Sequence, residues 1–215
     1  RGLKLVCYTP EQCVYPINLA SANPDTRRRS LKFFEDGIRA AAELGSRKML
    51  VTSGTGYFDD SDRQEAWKWA REGLAGLTEM AQDYGMTLAL EVLRRDESNL
   101  VYNLPTLLRM LSELPVEGIG GMIDTIPMAL AGERPAQYLE ALGDRLVHVH
   151  FIDGAPRGHL AWGDGILDLE GYLKEFEQYG YKGYLSLEIT DGRYYMEPSK
   201  SVEQSMKKLF EVLKA

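Results

Sequence analysis

Short apolar runs alternate with longer amphipathic stretches along the whole chain. The apolar runs predict strands at residues 3–8, 48–52, 87–92, 119–124, 146–151 and 184–189. The amphipathic stretches predict helices at about residues 26–44, 62–84, 104–113, 134–142, 168–179 and 200–214. Near-continuous apolar strands separated by amphipathic helices are typical of a parallel sheet covered by helices.

The repeat is a βα unit of about 35–40 residues, and six such units are visible. Chemistry-bearing residues lie at the carboxyl ends of the strands, which favours an α/β fold of the TIM (β/α)₈ barrel type. An open doubly wound sheet is the alternative, but no Gly-rich dinucleotide motif follows the first strand. The six units would be strands three to eight. We therefore expect residues 1–215 to form one N-terminally incomplete barrel domain, with about 60–70 residues missing upstream.

Four polar side chains end four successive predicted strands. They are Glu91, Asp124, His150 and Glu188, and the intervals between them are 33, 26 and 38 residues. A carboxylate at the end of an apolar strand carries a desolvation cost unless a cation meets it. Since each interval is about one βα unit, the four groups are expected to meet around one axis at the barrel mouth and to bind a divalent metal.

The ligand types indicate which metal this would be. Three carboxylates with one imidazole suit Mn²⁺ or Mg²⁺, with Co²⁺ as a further candidate. A single glutamate at a strand end is more often a helix cap or a solvated loop residue. Four acidic or imidazole groups at consecutive strand ends favour the metal site.

Composition narrows the class of protein. The net charge is −7 and the pI is about 5.1, which argues against a nucleic-acid surface. No apolar run approaches the ~20 residues of a membrane span. The two cysteines, Cys7 and Cys13, are too few for a disulfide framework, so a reducing cytoplasm is the expected compartment.

The strand-end pattern resembles the xylose-isomerase-like TIM barrels, a superfamily of sugar isomerases and epimerases, and within it the D-tagatose 3-epimerase group. The resemblance covers essentially the whole chain, and its fructoselysine-type branch fits best. The segments that carry the finer match are residues 8–11, 15–18, 28–31, 97–101 and 142–150.

The resemblance implies a set of roles. Glu91, Asp124, His150 and Glu188 would bind one divalent metal, most commonly manganese. Glu91 and Glu188 would also be the catalytic acid and base that exchange the proton on carbon 3 of a ketose or ketosamine through a cis-enediolate. The physics agrees, because a metal that polarises the carbonyl acidifies that proton, and two glutamates can remove and return it. The group also implies a homo-oligomer, a dimer or tetramer.

Further residues are candidates for substrate binding. Glu97 lies six residues after Glu91, where the group has a substrate-contacting glutamate. Arg157 and His159 lie in the loop after the fifth predicted strand, where plain loop roles compete with substrate contact. Aromatic walls for a sugar could come from Tyr8, Tyr15, Tyr57, Phe58 and Trp162, although packing under loops is an equal alternative for each.

One position departs from the group. A histidine often follows the metal-binding aspartate by three residues, but this chain has Pro127 there. The departure disfavours a strict free-ketohexose epimerase and is compatible with the fructoselysine-type branch.

Other functions stay open at this point. An aldose–ketose isomerase would use the same metal and glutamates, and an inosose-type dehydratase would release water. An endonuclease-IV-like DNA repair enzyme would need more metal ligands and a basic surface, against which three histidines and the acidic charge argue. A sugar-binding protein without catalysis is the last alternative.

Overall fold

The computed structural model describes residues 2–10, 17–56 and 62–214. Five strands form one sheet in the described part of the chain, all parallel and in sequence order. They are β1 (Lys48–Val51), β2 (Thr87–Glu91), β3 (Ile119–Asp124), β4 (Leu146–His150) and β5 (Leu185–Ser186). The helices are α1 (Pro24–Glu43), α2 (Arg63–Asp83), α3 (Leu104–Ser112), α4 (Thr125–Leu130), α5 (Pro135–Leu142), α6 (Leu169–Gln178) and α7 (Pro198–Leu213).

This architecture confirms the predicted parallel α/β fold in its coarser form. Sequential parallel strands joined by crossover helices make a barrel-like half, with strand carboxyl ends on one edge. The number of units in a complete barrel stays a prediction. In the described part of the chain no helix is both long and apolar enough to cross a membrane.

Two predicted strands are much shorter than expected. Of residues 3–8 only Tyr8 pairs, through one parallel bridge to Met49, while Leu3 is 91% exposed. Without a buried face this segment has nothing to hold it extended against β1. The predicted strand at 184–189 is reduced to β5, which lies at the sheet edge with β4 as its pairing partner.

Helix boundaries follow local capping chemistry. Asn23 accepts a hydrogen bond from the Asp25 N–H at the start of α1, and Asp62 accepts one from Gln64 at the start of α2. The short helix α4 was not predicted. It begins directly after Asp124, whose side chain accepts the Ile126 N–H at 2.8 Å and thereby caps it.

The sheet separates two apolar regions. The larger one lies between the strands and the helices and includes Leu88 and Leu90 of β2. A smaller cluster on the inner face contains Leu50, Ala89, Met122 and Val147. Because side chains alternate along a strand, Glu91 and Asp124 share the inner face with Ala89 and Met122, two residues before them. The alternation thus aims both carboxylates into the barrel mouth.

Candidate active site

The four strand-end residues meet at one point on the inner face. Glu91, Asp124 and His150 are the last residues of β2, β3 and β4, and Glu188 follows β5 by two residues. One potential ligand atom from each lies within 4.8 Å of all the others. The first three are buried and Glu188 is half-buried, so parallel pairing has brought together groups that span 98 positions of the chain, from 91 to 188 inclusive.

The contacts inside this cluster converge on the imidazole. His150 Nδ1 lies 3.1 Å from Glu91 Oε1 and 3.0 Å from Glu188 Oε2. Neither oxygen lies in a direction that gives Nδ1 a hydrogen bond, so this buried nitrogen has no hydrogen-bond partner. A buried imidazole nitrogen this close to carboxylate oxygens, yet without a hydrogen bond to them, is typical of a metal ligand. Buried carboxylates with one imidazole are a suitable donor set for Mn²⁺ or Mg²⁺.

His159 is brought to the same cluster from the loop after β4. Its Nδ1 lies 3.1 Å from Glu188 Oε2, and its Nε2 lies 3.5 Å from Asp124 Oδ2. The two carboxylate oxygens of Asp124 therefore have different partners, because Oδ1 caps α4 and Oδ2 faces His159. The sequence left His159 with two possible roles, substrate contact or a plain loop residue. The structure places it in the lining of the cavity.

Burial and crowding separate the pKa values of the acidic groups. Burial raises the pKa of Asp124 to about 7 and raises that of Glu91 above its ordinary value. Burial also acts on Glu188, but contact with His150 and His159 outweighs it and lowers the pKa of Glu188 to about 2. One glutamate is therefore biased toward the protonated form and the other toward the charged form.

The imidazoles respond in the opposite sense. Burial disfavours the charged form of His150, yet Glu188 and Glu91 outweigh it and raise its pKa to about 11. The pKa of His159 is also raised, because Glu188 and Asp124 outweigh burial. The carboxylates around the two imidazoles are therefore what raises the pKa of each.

A cavity of about 600 Å³ opens from the cluster. Its lining includes three groups of the cluster, Glu91, His159 and Glu188. Apolar lining comes from Leu50 and Leu93. The remaining described lining is mostly neutral or acidic: Thr9, Pro10, Ile17, Asn18, Thr52, Gly54, Thr55, Asp96, Glu97 and Thr190. No lysine or arginine is among these described lining residues.

Glu97 lines this cavity and is held by a neighbour in its own loop. Its carboxylate accepts one hydrogen bond from the Arg94 guanidinium Nη2 at 2.5 Å and another from the Arg94 backbone N–H at 3.0 Å. Arg157 does not line the cavity. It instead donates to Asp96 at 2.8 Å, which ties the loop after β4 to the loop after β2 beside the cavity.

The two aromatic candidates lie elsewhere. Tyr8 packs on the helix side of the sheet, where its ring approaches Gly37 of α1, while its neighbour Thr9 lines the cavity. Trp162 is buried against Phe151 and donates its indole N–H to the Phe151 carbonyl at 3.1 Å. Strand alternation turns Tyr8 outward, and the indole is anchored in the core, so the structure gives both side chains packing roles.

Some cavity residues were missed in the sequence. Asn18 accepts hydrogen bonds from Ala20 and Thr55 and donates to the Thr55 carbonyl, which makes it a rigid wall. Its partner Thr55 belongs to the polar run at 52–55, directly after β1, and that run was the available signal. It marks a further strand end at the cavity, with hydroxyl groups where the other four have acids or imidazole. Asp96, next to Glu97, was missed because it resembles an ordinary loop acid.

Comparison with known proteins agrees with this geometry. A family model described as xylose isomerase-like TIM barrel matches residues 1–214. Fructoselysine 3-epimerase from Shigella flexneri is 30% identical over 209 residues, which is 96% of this chain and 75% of that protein.

Solved structures add to the assignment of the fold. That of 3-keto-D-glucoside 4-epimerase from E. coli has a TM-score of 0.81 and 22% identity, covering 98% of this chain and 80% of that one. That of D-psicose 3-epimerase with D-tagatose, from Clostridium cellulolyticum H10, has a TM-score of 0.77 and 18% identity, with coverages of 97% and 78%. At these identities the structural likeness establishes the fold.

Proposed function

The chain belongs to the xylose isomerase-like TIM barrel family and is an enzyme of the isomerase class; from this we propose that it is a divalent-metal-dependent epimerase that inverts carbon 3 of a ketose or ketosamine. The observation that carries the proposal is the pair Glu91 and Glu188, which come from non-adjacent strands and approach His150 Nδ1 at 3.1 and 3.0 Å. A proton exchange that inverts a centre needs two such groups around one small volume.

The metal would be held by Glu91, Asp124, His150 and Glu188, whose donor set fits Mn²⁺ first and Mg²⁺ or Co²⁺ next. When bound, such an ion supplies Lewis acidity toward a substrate carbonyl and its neighbouring hydroxyl. His150 offers the nitrogen ligand. The unbonded Nδ1 supports this role, because a buried nitrogen without a hydrogen bond is costly unless something else binds it.

The two glutamates would move the proton. Glu188, whose pKa is lowered to about 2 because contact with His150 and His159 outweighs burial, is charged at neutral pH and so would be free to accept the carbon 3 proton. Glu91, whose pKa is raised by burial, would return a proton to the opposite face of carbon 3. Two carboxyl groups whose environments separate their pKa values are a recurrent arrangement for an acid and a base. For the reverse epimerisation the same pair exchanges roles.

Other cavity residues would orient the sugar. His159 can donate to a substrate oxygen beside Glu188, and Glu97, fixed by Arg94, can accept from a hydroxyl. Asn18, Thr52 and Thr55, which also line the cavity, offer further polar contacts. Since the described lining has no lysine or arginine, an unphosphorylated substrate is favoured over a sugar phosphate.

The likeness to fructoselysine 3-epimerase adds an amine-linked ketose to the substrates worth testing. The test is hydrogen exchange at carbon in D₂O with added Mn²⁺, read by NMR. The panel contains fructoselysine, fructose, tagatose and psicose. Deuterium at carbon 3 together with a new epimer is the expected result.

Other outcomes assign the reaction differently. Label at carbon 1 would identify an aldose–ketose isomerase, and loss of water would identify a dehydratase. A protein that binds one of these sugars without exchanging any carbon-bound hydrogen would contradict the proposed epimerisation. The matched control is Glu211→Gln, an exposed glutamate of α7, which should exchange at the wild-type rate.

A further inference from the structure

The loop that carries His159 folds back on itself around one buried aspartate. Asp153 lies three residues after His150, and its backbone pairs with Leu160 in both directions. The Asp153 N–H donates to the Leu160 carbonyl at 3.1 Å, and the Leu160 N–H donates back at 2.9 Å. His159 directly precedes Leu160, so this pair of bonds holds its backbone close to Asp153, while its carbonyl also accepts the Asp191 N–H at 3.3 Å.

The Asp153 carboxylate holds the rest of the loop. Oδ1 accepts the N–H groups of Gly154 and Leu167 at 2.8 and 3.0 Å. Oδ2 accepts those of Gly163 and Gly165 at 3.0 and 2.9 Å. With two donors on each oxygen, the side chain, which is only 2% exposed, is fully satisfied by backbone.

This arrangement requires a carboxylate and small neighbours. An amide in its place would present an NH₂ group to two of the four N–H donors, which would leave them unpaired. A side chain at Gly165 would overlap Asp153 Oδ1. The loop from 153 to 167 is thus built around one anion that touches none of the four strand-end ligands by a hydrogen bond or ion pair in the described contacts.

We propose that Asp153 is a positioning residue for catalysis, which acts by holding His159 against Glu188 and Asp124. The proposal rests on the proposed function, because it takes His159 as a substrate-orienting group of that site. The distances from His159 are 3.1 Å to Glu188 and 3.5 Å to Asp124, and a loop shift of about 1 Å is enough to lose such alignment.

A double-mutant cycle on turnover tests the coupling. Asp153→Asn should lower kcat/KM by about tenfold to a hundredfold in the wild-type background. In a His159→Gln background the same change should cost less than about twofold, because the group it positions is already gone. An equal loss in both backgrounds would show that Asp153 acts by another route and would overturn the proposal.

A second readout does not depend on turnover. The chain has three histidines, so their ring NMR signals in the Mg²⁺-supplemented protein can be assigned with His159→Gln. Asp153→Asn should shift the His159 ring signals while those of His148 and His150 stay in place. Unmoved His159 signals would overturn the proposal. If no sugar exchanges hydrogen at carbon, the proposed function fails, and this measurement still decides whether Asp153 positions His159.

Two further variants separate positioning from general destabilisation. Glu133→Gln is the matched control, since Glu133 also accepts a backbone N–H, that of Leu104, and its other described hydrogen bond comes from the Tyr138 hydroxyl, outside the 153–167 loop. It should leave turnover and the His159 signals unchanged. Gly165→Ala covers the case in which Asp153→Asn fails to fold, because it displaces the loop while keeping the carboxylate, and it should reproduce the His159 shift.

Discussion

Two adjacent layers on the inner face of the sheet differ sharply in character. The lower layer is apolar on β1, β2 and β3, where it contains Leu50, Ala89 and Met122. Two residues further along the same strands, the upper layer contains Thr52, Glu91 and Asp124. Both layers are buried at β2 and β3, and both belong to the same strands, yet they contribute to the molecule in opposite ways.

The lower layer stabilises the fold, whereas the upper layer costs stability. Burial of a large apolar side chain such as Met122 contributes roughly 1.5–3 kcal/mol. Burial of a carboxylate is unfavourable, and the pKa of Asp124, raised to about 7, shows that its charge is poorly solvated. The apolar lower layer therefore offsets the unfavourable burial of carboxylates at the barrel mouth. A bound cation would reduce that unfavourable term.

The largest expected effect comes from the upper layer. Glu188→Gln should keep the fold and lower kcat by about 10²–10⁴-fold, because the amide cannot accept the proton from carbon 3. Glu91→Gln should behave similarly, and both should weaken Mn²⁺ binding. Turnover of the exchanged substrate and Mn²⁺ titration measure the two effects, with Glu211→Gln as the surface control. Near-wild-type turnover in either variant would contradict the two-glutamate scheme.

The reverse pattern is expected in the lower layer. Met122→Ala should reduce the free energy of unfolding by about 2–5 kcal/mol through lost burial and the cavity left behind. Because Met122 does not line the cavity, kcat should fall much less than in Glu188→Gln.

Denaturant unfolding and turnover on the same preparation measure this contrast. Met206→Ala, on the exposed side of α7, is the matched control and should change stability by less than about 0.5 kcal/mol. A Met122→Ala variant with full stability and lost turnover would contradict the division between the layers.

The helices and the polar layer could both be predicted from the sequence, because each leaves a regular pattern in it. Periodicity and capping residues determine helices locally, which is why predicted and observed bounds agree within one or two residues for α1 to α3 and α5 to α7. The four strand-end groups were recognisable because acids and imidazole interrupt apolar runs at a regular interval. Short α4 has neither a long apolar period nor a separate cap signal, so its pattern was hidden.

Side-chain direction could not be read in the same way. Tyr8 and Thr9 are neighbours on one extended segment, and the residue that faces the cavity depends on how that segment meets β1. Trp162 lies in a loop whose path depends on long-range hydrogen bonds, such as the one from its backbone N–H to the Ser205 hydroxyl of α7 at 3.0 Å. Tyr15, Tyr57 and Phe58, also considered as aromatic walls, lie outside the described residues. Loop contacts between distant segments carry no local sequence signal.

The smallest expected effect concerns how the two layers respond to pH. Asp124 and Glu91 have raised pKa values, so without metal the folded state holds protons that the unfolded state has released above about pH 4. His150, with its pKa raised to about 11, holds a proton that the unfolded chain loses above about pH 6.5. These groups make the metal-free protein less stable as pH rises, Asp124 between about pH 4 and 7 and His150 between about pH 6.5 and 11. His148, whose pKa is lowered to about 4 chiefly by burial, acts in the opposite sense between about pH 4 and 6.5.

A metal should reverse that dependence. Binding to deprotonated ligands releases the proton from His150 and from the carboxyl groups, so Mn²⁺ affinity should rise with pH over the same range. At a hundredfold excess over Kd, the ion adds about 2.7 kcal/mol of stability. Thermal unfolding with and without Mn²⁺, together with calorimetry in buffers of different ionisation enthalpy, measures both quantities.

Met122→Ala separates the two layers within this experiment. It should lower the unfolding curve at every pH and change its slope much less than Glu188→Gln does, because the acids and imidazoles of the upper layer stay in place. Glu188→Gln should instead change the slope, since it removes the main partner that keeps His150 and His159 protonated. Equal slopes in the two variants would mean that the polar layer is not the source of the pH dependence, and the contrast between the layers would then be one of packing alone.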